Sequence, residues 1–549
     1  MMKNIPGLLV LFACLALNLS AQKNVIGKGE DQLKLFNAQQ AYYAGDFQKA
    51  ANIYKDLLSQ NANDANVLGR LADCYFSMQQ YNDALTNAEK AKSVDEKAYE
   101  NTALVLGKLY HMNGRLDEAL TEYNFFKALV GTTKKAEETQ IDKLIAEIAT
   151  AKDFMAHPVD VKVENMGDVI NSEFDDKSPF LTVDGKSIIF TSRRPGKSSQ
   201  LDTEGDNKYF DDIYMSRWDT IKKMWADAEL LPGSINTEGH DACTSISPDG
   251  KQLFIYRNDA NGESRGGDMY VSKLSSSGKW GGAKSVGKPI NTTYWEGGAC
   301  VSPDGKTLYL VSERPGGMGH ADIYVAQRKT RTEWDTPVNM GPTINTAEDD
   351  GGLFLSPDGK TLFFSSKGHN SMGNYDIFKT TFENGKWTTP VNLGYPINTV
   401  NNDMCISVSA DGKTGYFTSD RKGGLGERDV YMVNLSNYPV LEKDMKAKPK
   451  MAEPTANAVM GILKGDVFDA IANKGVVAEL KVYDETGVEV GTATSTDGTG
   501  EYFITLIAGK TYHVKITQKG YKPIDEKVEV APAKDGPTTV VKHYLLYKE

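Results

Sequence analysis

The sequence predicts a multidomain protein with an α-helical repeat array, an all-β five-bladed propeller and a small β-sandwich. Three observations lead to this fold class. A strand–turn–strand unit recurs five times over 171–435, a helical pattern with a period of 34 or 35 residues precedes it, and short strands separated by Gly and Asp follow it. A length of 549 residues accommodates several domains of ordinary size.

The central repeat is built around a turn between two apolar strands. An Asp-Gly pair stands at Asp184, Asp249, Asp304, Asp358 and Asp411. This pair favours a hairpin because Gly adopts positive φ without a Cβ clash. A third strand then opens with Asp-Ile-Tyr or a variant, and a fourth segment carries a Trp and ends in Ile-Asn-Thr. Such four-stranded units predict a propeller, since one sheet cannot bury both faces alone.

The number of blades follows from the strand count. The first three strands occur five times, but the Trp-bearing segment follows only four copies. A related segment at 161–172 precedes the first repeat and can pair with the last blade. This closure leaves no unpaired edge and predicts five blades. The recurrence of Ser-Pro-Asp-Gly-Lys and Asp-Ile-Tyr in register resembles the WD40-like (PD40), TolB-type propeller repeat of bacterial envelope proteins.

The N-terminal region has the pattern of paired helices. Ala50, Ala84 and Ala119 are spaced by 34 and 35 residues, and a segment at 139–154 predicts a capping helix. Small residues at this period, where helices cross, are the tetratricopeptide signature. Such arrays present a concave surface to peptides or protein partners. The alternative is that the array only packs on the propeller.

Two regions follow the propeller. A Pro- and Lys-containing linker has little periodicity, and the last segment has the alternating strands of a small antiparallel sandwich. Gly465-x-Val467, Val482-Tyr-Asp484 and Gly500-x-Tyr502 resemble the carboxypeptidase regulatory-like (transthyretin-like) domain, an accessory fold. The predicted boundaries are a signal peptide at 1–21, a helical domain at 22–157, a propeller at 158–437, a linker at 438–458 and a sandwich at 459–549.

The first residues predict export. Lys3 precedes a mostly apolar stretch, and Leu19-Ser-Ala21 fits a signal-peptide cleavage site, so that Gln22 would begin the mature chain. The alternative is a lipid on Cys14. No later run has the length of a membrane helix, so we expect no transmembrane span in the mature chain. The net charge of −11 argues against nucleic acid as a partner.

The sequence shows no pattern of catalytic, cofactor-binding or metal-binding residues. The seven His residues are scattered, and the Cys residues lack metal-ligand spacing. Gly-rich stretches such as 423–426 lie between strands, without the helix that a phosphate loop requires. We therefore predict that the protein is not an enzyme and binds no cofactor.

One set of acids is a candidate site. An acid precedes every Asp-Gly turn by eight residues, and equivalent positions in five blades form a ring about the propeller axis. A ring of carboxylates at one mouth of the channel could hold a cation or a basic peptide. The alternative is that each acid caps a local turn or pairs with a nearby Arg or Lys. The candidate acids are Asp176, Asp241, Glu296, Asp350 and Asp403.

A second set of acids predicts a structural role. Arg194, Arg314 and Arg421 lie at equal offsets from their turns. An ion pair between each Arg and the Asp of the following Asp-Ile-Tyr strand is the simplest interpretation.

The order of helical repeats, propeller and regulatory-like sandwich resembles the PorE-like periplasmic proteins of the type IX secretion system of Bacteroidota. The resemblance implies a periplasmic scaffold near the outer membrane, with envelope or outer-membrane proteins as partners of the helical groove and propeller face. Relatives of this kind continue into an OmpA-like domain that holds peptidoglycan, and this chain has none up to Glu549, so direct peptidoglycan binding is in doubt. The alternative function is a propeller-based binding module for an extracellular ligand such as a glycan or a peptide.

Overall fold

The fold is taken from a computed structural model of the chain. It describes residues 30–548, except for 199, 203–206, 259–265, 276–277, 331–332, 439–459, 497 and 533–537. The predicted signal peptide, Cys14 and nearly all of the predicted linker lie outside the described residues. The chain divides into two compact units, Met1–Lys152 and Asp153–Glu549, and each is described by itself.

The first unit is helical. Its helices are α1 (30–43), α2 (Phe47–Gln60), α3 (Ala65–Ser77), α4 (Tyr81–Val94), α5 (Asn101–Met112), α6 (Leu116–Val130), α7 (Lys134–Glu138) and α8 (Ile141–Ala156), of which the last four residues follow Lys152. Asp46 and Asp64 begin α2 and α3 by accepting hydrogen bonds from the N–H groups of Lys49 and Val67, both at 3.1 Å. These caps satisfy donors that a helix start leaves without partners.

The small residues of the period lie where the helices cross. Ala50, Ala84 and Ala119 have no exposed surface, which confirms the predicted helical repeat. Gly107 of α5 meets the ring of Tyr123 in α6, and a Cβ at Gly107 would lie 2.5 Å from that ring. The three helix pairs α1–α2, α3–α4 and α5–α6 therefore pack closely because their contact positions lack side-chain bulk.

The second unit contains five sheets of four or five strands around one axis. Blade 1 has β2 (Asp176–Leu181), β3 (Ser187–Ser192), β4 (Asp212–Asp219), β5 (Met224–Trp225) and β6 (Glu229–Leu230). Blade 2 has β7 (His240–Ile246), β8 (Gln252–Asn258), β9 (Asp268–Lys273) and β10 (Lys284–Ser285). Blade 3 has β11 (Glu296–Val301), β12 (Thr307–Ser312), β13 (Asp322–Gln327) and β14 (Val338–Asn339).

The remaining blades complete the ring. Blade 4 has β15 (Asp350–Leu355), β16 (Thr361–Ser366), β17 (Asp376–Glu383), β18 (Lys386–Trp387) and β19 (Val391–Asn392). Blade 5 has β20 (Asp403–Val408), β21 (Thr414–Ser419), β22 (Asp429–Asn434) and, from before the first repeat, β1 (Lys162–Asn165). β1 pairs antiparallel with β22, Val163 opposite Val433, which confirms the predicted closure.

Each blade begins at the axis. Its innermost strand starts at the candidate acid and ends at the Asp-Gly turn, so these two features lie at opposite ends of the central channel. We call the two ends the acid face and the turn face. A bulge interrupts the pairing of every innermost strand, for example between Lys177 and Phe180. Large apolar side chains between neighbouring blades form the core.

The C-terminal part is a sandwich of two four-stranded sheets. Its strands are β23 (Met460–Asp469), β24 (Glu479–Tyr483), β25 (Glu489–Thr494), β26 (Glu501–Ile507), β27 (Lys510–Thr517), β28 (Ile524–Val530), β29 (Thr538–Val541) and β30 (Tyr544–Leu546). One sheet has the order β26-β23-β29 with β30 also on β23, and the other has β25-β24-β27-β28. They share one apolar core that includes Leu463, Leu480 and Val514. Among the described helices of the whole chain, none is both long and apolar enough to cross a bilayer.

Candidate functional site

All five candidate acids lie at the start of innermost strands, as the sequence predicts. Asp176, Asp241, Glu296, Asp350 and Asp403 have no exposed surface. Their carboxylates bind groups of their own blade or of the segment leading into it. Each accepts hydrogen bonds from the N–H and the hydroxyl of the Ser or Thr four residues earlier, at 2.6–3.0 Å.

Four of the acids also have an Arg partner. Arg194 pairs with Asp176 and Arg421 with Asp403, both at 2.6 Å. The matching pairs in blades 2 and 3 are Arg257–Asp241 at 2.5 Å and Arg314–Glu296 at 3.4 Å. Each Arg also donates to the carbonyl of the Ile in Ile-Asn-Thr or Ile-Asn-Ser. Contacts of this kind are those of the alternative interpretation, in which each acid caps a local turn or pairs with a nearby Arg or Lys.

The predicted pairing of Arg194, Arg314 and Arg421 with the Asp of Asp-Ile-Tyr was wrong. Asp212 accepts from the N–H of Lys197 at 2.7 Å, and Asp429 accepts from the N–H of Leu425 at 2.6 Å. In blades 1, 3, 4 and 5 the loop after the second strand folds back over this Asp, and a backbone N–H of the loop donates to its carboxylate. The Arg side chains of these loops are then available to the candidate acids.

Blade 4 departs from this arrangement. Gly368 stands where blades 1, 3 and 5 have their Arg, and a Cβ there would lie 2.3 Å from Thr346 Oγ1. His369 Nε2 lies 2.9 Å from the carbonyl of Ile344 instead. Asp350 Oδ1 consequently lacks a donor within hydrogen-bond geometry. Burial raises the pKa of Asp350 to about 6, although Ser366 and Thr346 oppose the shift.

The Asn of Ile-Asn-Thr has a role that the sequence analysis missed. Its amide binds both the N–H and the C=O of one residue in the third strand of the preceding blade, as Asn398 does with Ile377 at 2.8 Å each. The same pair of bonds occurs at Asn171, Asn236, Asn291 and Asn345. An invariant Asn within a repeat is the signal that could have revealed this link between blades.

The residues directly before the candidate acids make the contacts at the acid-face mouth. Asp349 pairs with Lys367 at 2.7 Å, and Asn402 donates to Asp420 at 2.6 Å. In blade 3 the ring of Trp295 lies on Gly297, where a Cβ would be 1.8 Å from it. The mouth residues are Asp175, His240, Trp295, Asp349 and Asn402.

Charged side chains link three blades at this mouth. Asp175 accepts from Arg428 Nε at 2.6 Å, and Lys177 lies 2.8 Å from Asp211. His240 stands between Asp211, at 3.0 Å, and Asp202, at 3.2 Å. Burial lowers the pKa of His240, but its bonds to these two carboxylates outweigh burial and raise the pKa above 6.5.

No described group of three or more His, Cys, Asp or Glu side chains is arranged to hold a metal ion. This holds for the candidate acids and for the charged residues of the mouth alike.

The helical unit carries a second candidate surface. The 34- and 35-residue offsets align Phe36 of α1, Arg70 of α3 and Val105 of α5 on one face. Phe36 and Tyr43 are 55 % and 78 % exposed. We call the face formed by the first helices α1, α3 and α5 of the three pairs the repeat face.

The centre of the repeat face is a polar network. Asp73 of α3 accepts from Tyr99 OH at 2.8 Å and from Asn101 Nδ2 at 2.9 Å. The Arg70 guanidinium lies 4.5 Å from the centre of the Tyr99 ring, and its Nε donates to Asn66 at 2.9 Å. Each of these polar side chains is thus held in place by a neighbour.

Comparisons with known proteins agree with the repeat assignment. The tetratricopeptide repeat model matches residues 41–90. No curated protein matches the chain. A protein assigned as TolB from Agrobacterium tumefaciens has 16 % identity and a TM-score of 0.30, with 63 % of this chain and 97 % of that chain covered.

Two further solved structures are similar to parts of the chain. TolB from Acinetobacter baumannii has 19 % identity and a TM-score of 0.28, over 48 % of this chain and 55 % of that one. The type III secretion chaperone SycD of Yersinia enterocolitica, in complex with a peptide of the translocator YopD, has 19 % identity and a TM-score of 0.20, over 22 % and 93 %. At these values no function is transferred to this chain.

Proposed function

We propose that this protein is an exported, non-enzymatic scaffold of the bacterial envelope, located in the periplasm at the outer membrane. It binds other envelope proteins, and type IX secretion is its context. The repeat face carries this proposal. It combines exposed Phe36 and Tyr43 of α1 with polar groups that hold one another in place. A surface of this kind loses little side-chain conformational entropy when it binds a peptide, because its polar side chains are already ordered.

The periplasmic location and the secretion context rest on the sequence. The signal-like residues 1–21 and the repeat resemblance support them. Tetratricopeptide and propeller modules commonly act as interaction platforms, which supports a scaffold rather than a catalyst.

The experiment compares partner recovery from native envelopes. The tagged parent is purified beside a Phe36→Ser/Tyr43→Ser variant and a control, Val338→Ser/Phe382→Ser, that removes exposed apolar groups from the propeller. All four side chains are at least 43 % exposed, so folding should survive. We expect the parent and the control to retain outer-membrane secretion proteins and the repeat-face variant to lose them at least tenfold. Equal recovery from all three proteins would contradict the repeat face as the binding surface.

The acid-face mouth supports a second candidate function, the binding of an extracellular glycan or peptide. The half-buried Trp295 ring lies on Gly297 and directly precedes the candidate acid of blade 3, and an aromatic ring at the mouth suits a ligand with an apolar face. Titration with oligosaccharides, followed by tryptophan fluorescence, should show saturable binding that Trp295→Ala abolishes. No change in the parent at millimolar sugar would exclude a glycan.

A further inference from the structure

Two residues of the sandwich are buried without entering its core. Ile462 and Thr505 are 4 % and 7 % exposed, and they face each other across β23 and β26. Strand alternation turns them away from the core, which their neighbours Leu463 and Ile504 enter. The outer face of a free sandwich would leave both side chains in water. Another part of the chain therefore covers them.

The cover is the turn face of the propeller. Thr505 Oγ1 donates a hydrogen bond to the carbonyl of Pro357, in the Asp-Gly turn of blade 4. Pro357 is buried, whereas Pro248 and Pro303 at the same position of blades 2 and 3 are only half-buried. Ala410, the equivalent residue of blade 5, is buried as well, so it is the bond from Thr505 that identifies the blade 4 turn as a contact of the sandwich.

A second contact fixes the sandwich over the channel end. Lys251 follows the Asp-Gly turn of blade 2, and its Nζ lies 2.6 Å from Glu501 Oε1. Glu501 shares the outer face of β26 with Thr505, because the two are four residues apart in one strand. Blades 2 and 4 are not adjacent, so a sheet that touches both turns spans the inner part of the turn face.

We propose that the sandwich is an intramolecular cap: the outer face of its β26-β23-β29 sheet docks on the turn face and keeps external partners from it. The acid face is then the open end of the propeller. Residues 439–459 connect the two parts, so docking takes place within one molecule and at a high effective concentration. A modest contact area therefore suffices to keep the face covered.

The test uses zero-length carbodiimide crosslinking of the full chain. The carbodiimide activates a carboxylate. A neighbouring lysine amine then attacks the activated carboxyl carbon, the carbodiimide leaves as a urea, and an amide bond joins the two residues. We expect mass spectrometry to find a Lys251–Glu501 crosslink in the parent. Lys542 and Glu526, 2.6 Å apart within the sandwich, provide the internal control for its folding.

Two variants of one sheet separate docking from folding. Ile462→Lys places a charge in the contact and should reduce the Lys251–Glu501 crosslink at least fivefold while the Lys542–Glu526 crosslink persists. Val541→Lys, at a position 54 % exposed on the same sheet, should leave both unchanged. Amide hydrogen exchange over 356–360 should also become faster in Ile462→Lys alone. If the parent forms only the Lys542–Glu526 crosslink, or if Ile462→Lys changes neither the crosslink nor the exchange, the sandwich is not a cap.

Discussion

Asp350 and Asp403 hold the same position in neighbouring blades, and their counter-charges differ. Asp403 accepts from Arg421 and from Thr399, so both of its oxygens have donors. Asp350 has the Thr346 contacts but no Arg, and one oxygen lacks a donor. A buried carboxylate is costly unless its charge is compensated. The two acids should therefore respond in opposite ways to the loss of their charge.

We expect Asp403→Asn to lower the free energy of unfolding by about 1–3 kcal/mol, because the new NH₂ group meets a donor and Arg421 loses its partner. Asp350→Asn should be neutral or stabilising at pH 7.5. The measurement is denaturant unfolding of both variants and the parent. Equal destabilisation by the two changes would show that Asp350 has a counter-charge after all.

Asp350 gives the stability of the fold a defined pH dependence. The pKa of Asp350 is raised from 3.8 to about 6 in the fold, so the folded state holds that proton more tightly than the unfolded chain. Its contribution to stability is full below pH 3.8 and is lost as pH rises through 6. The stability of Asp350→Asn relative to the parent should therefore increase between pH 5 and 7.5.

The directions and partners of individual side chains were the features that the sequence predicted least well. The eight-residue spacing located all five acids, but it did not tell which way their side chains point. Each innermost strand contains a bulge, and one residue of shift exchanges the channel for the blade interior. Two signals were present: a Ser or Thr four residues before each acid, and an Arg 16 or 18 residues after four of them. The Arg residues were assigned to the Asp of Asp-Ile-Tyr, because the spacing of residues in a sequence does not show how the loop between them folds.

Elements were easier to predict, because their periods recur. The strand count required an extra strand for the last blade, and β1 supplies it. The small residues at 50, 84 and 119 predicted the helix crossings for the same reason. The sandwich cap was not predictable, because outward residues such as Ile462 have the pattern of an ordinary strand until the domains are assembled.

Within the helical unit, Gly107 is a position where helix propensity and close packing predict opposite effects of a substitution. Gly→Ala within a helix normally stabilises by about 0.5–1 kcal/mol. At Gly107 the added Cβ would lie 2.5 Å from the Tyr123 ring, which is fully buried and cannot move away freely. Overpacking of this kind costs about 1–3 kcal/mol, so Gly107→Ala should destabilise the helical unit. Thr86→Ala, at an exposed position of α4, is the control and should not. A gain of stability in Gly107→Ala, measured by helix melting, would contradict the close crossing.

At the scale of the whole molecule, the two compact units should unfold as separate transitions. Each has its own core, and all six Trp residues, from Trp218 to Trp387, lie in the propeller. Tryptophan fluorescence therefore follows the propeller, whereas ellipticity at 222 nm follows mainly the helices.

Gly107→Ala should then lower the midpoint seen at 222 nm and leave the fluorescence midpoint in place, and Asp403→Asn should do the reverse. The double variant should show both shifts at their single-variant size, because distant sites in separate cores do not couple. Coincident midpoints that both substitutions move together would mean that the helical unit and the propeller fold as one cooperative body.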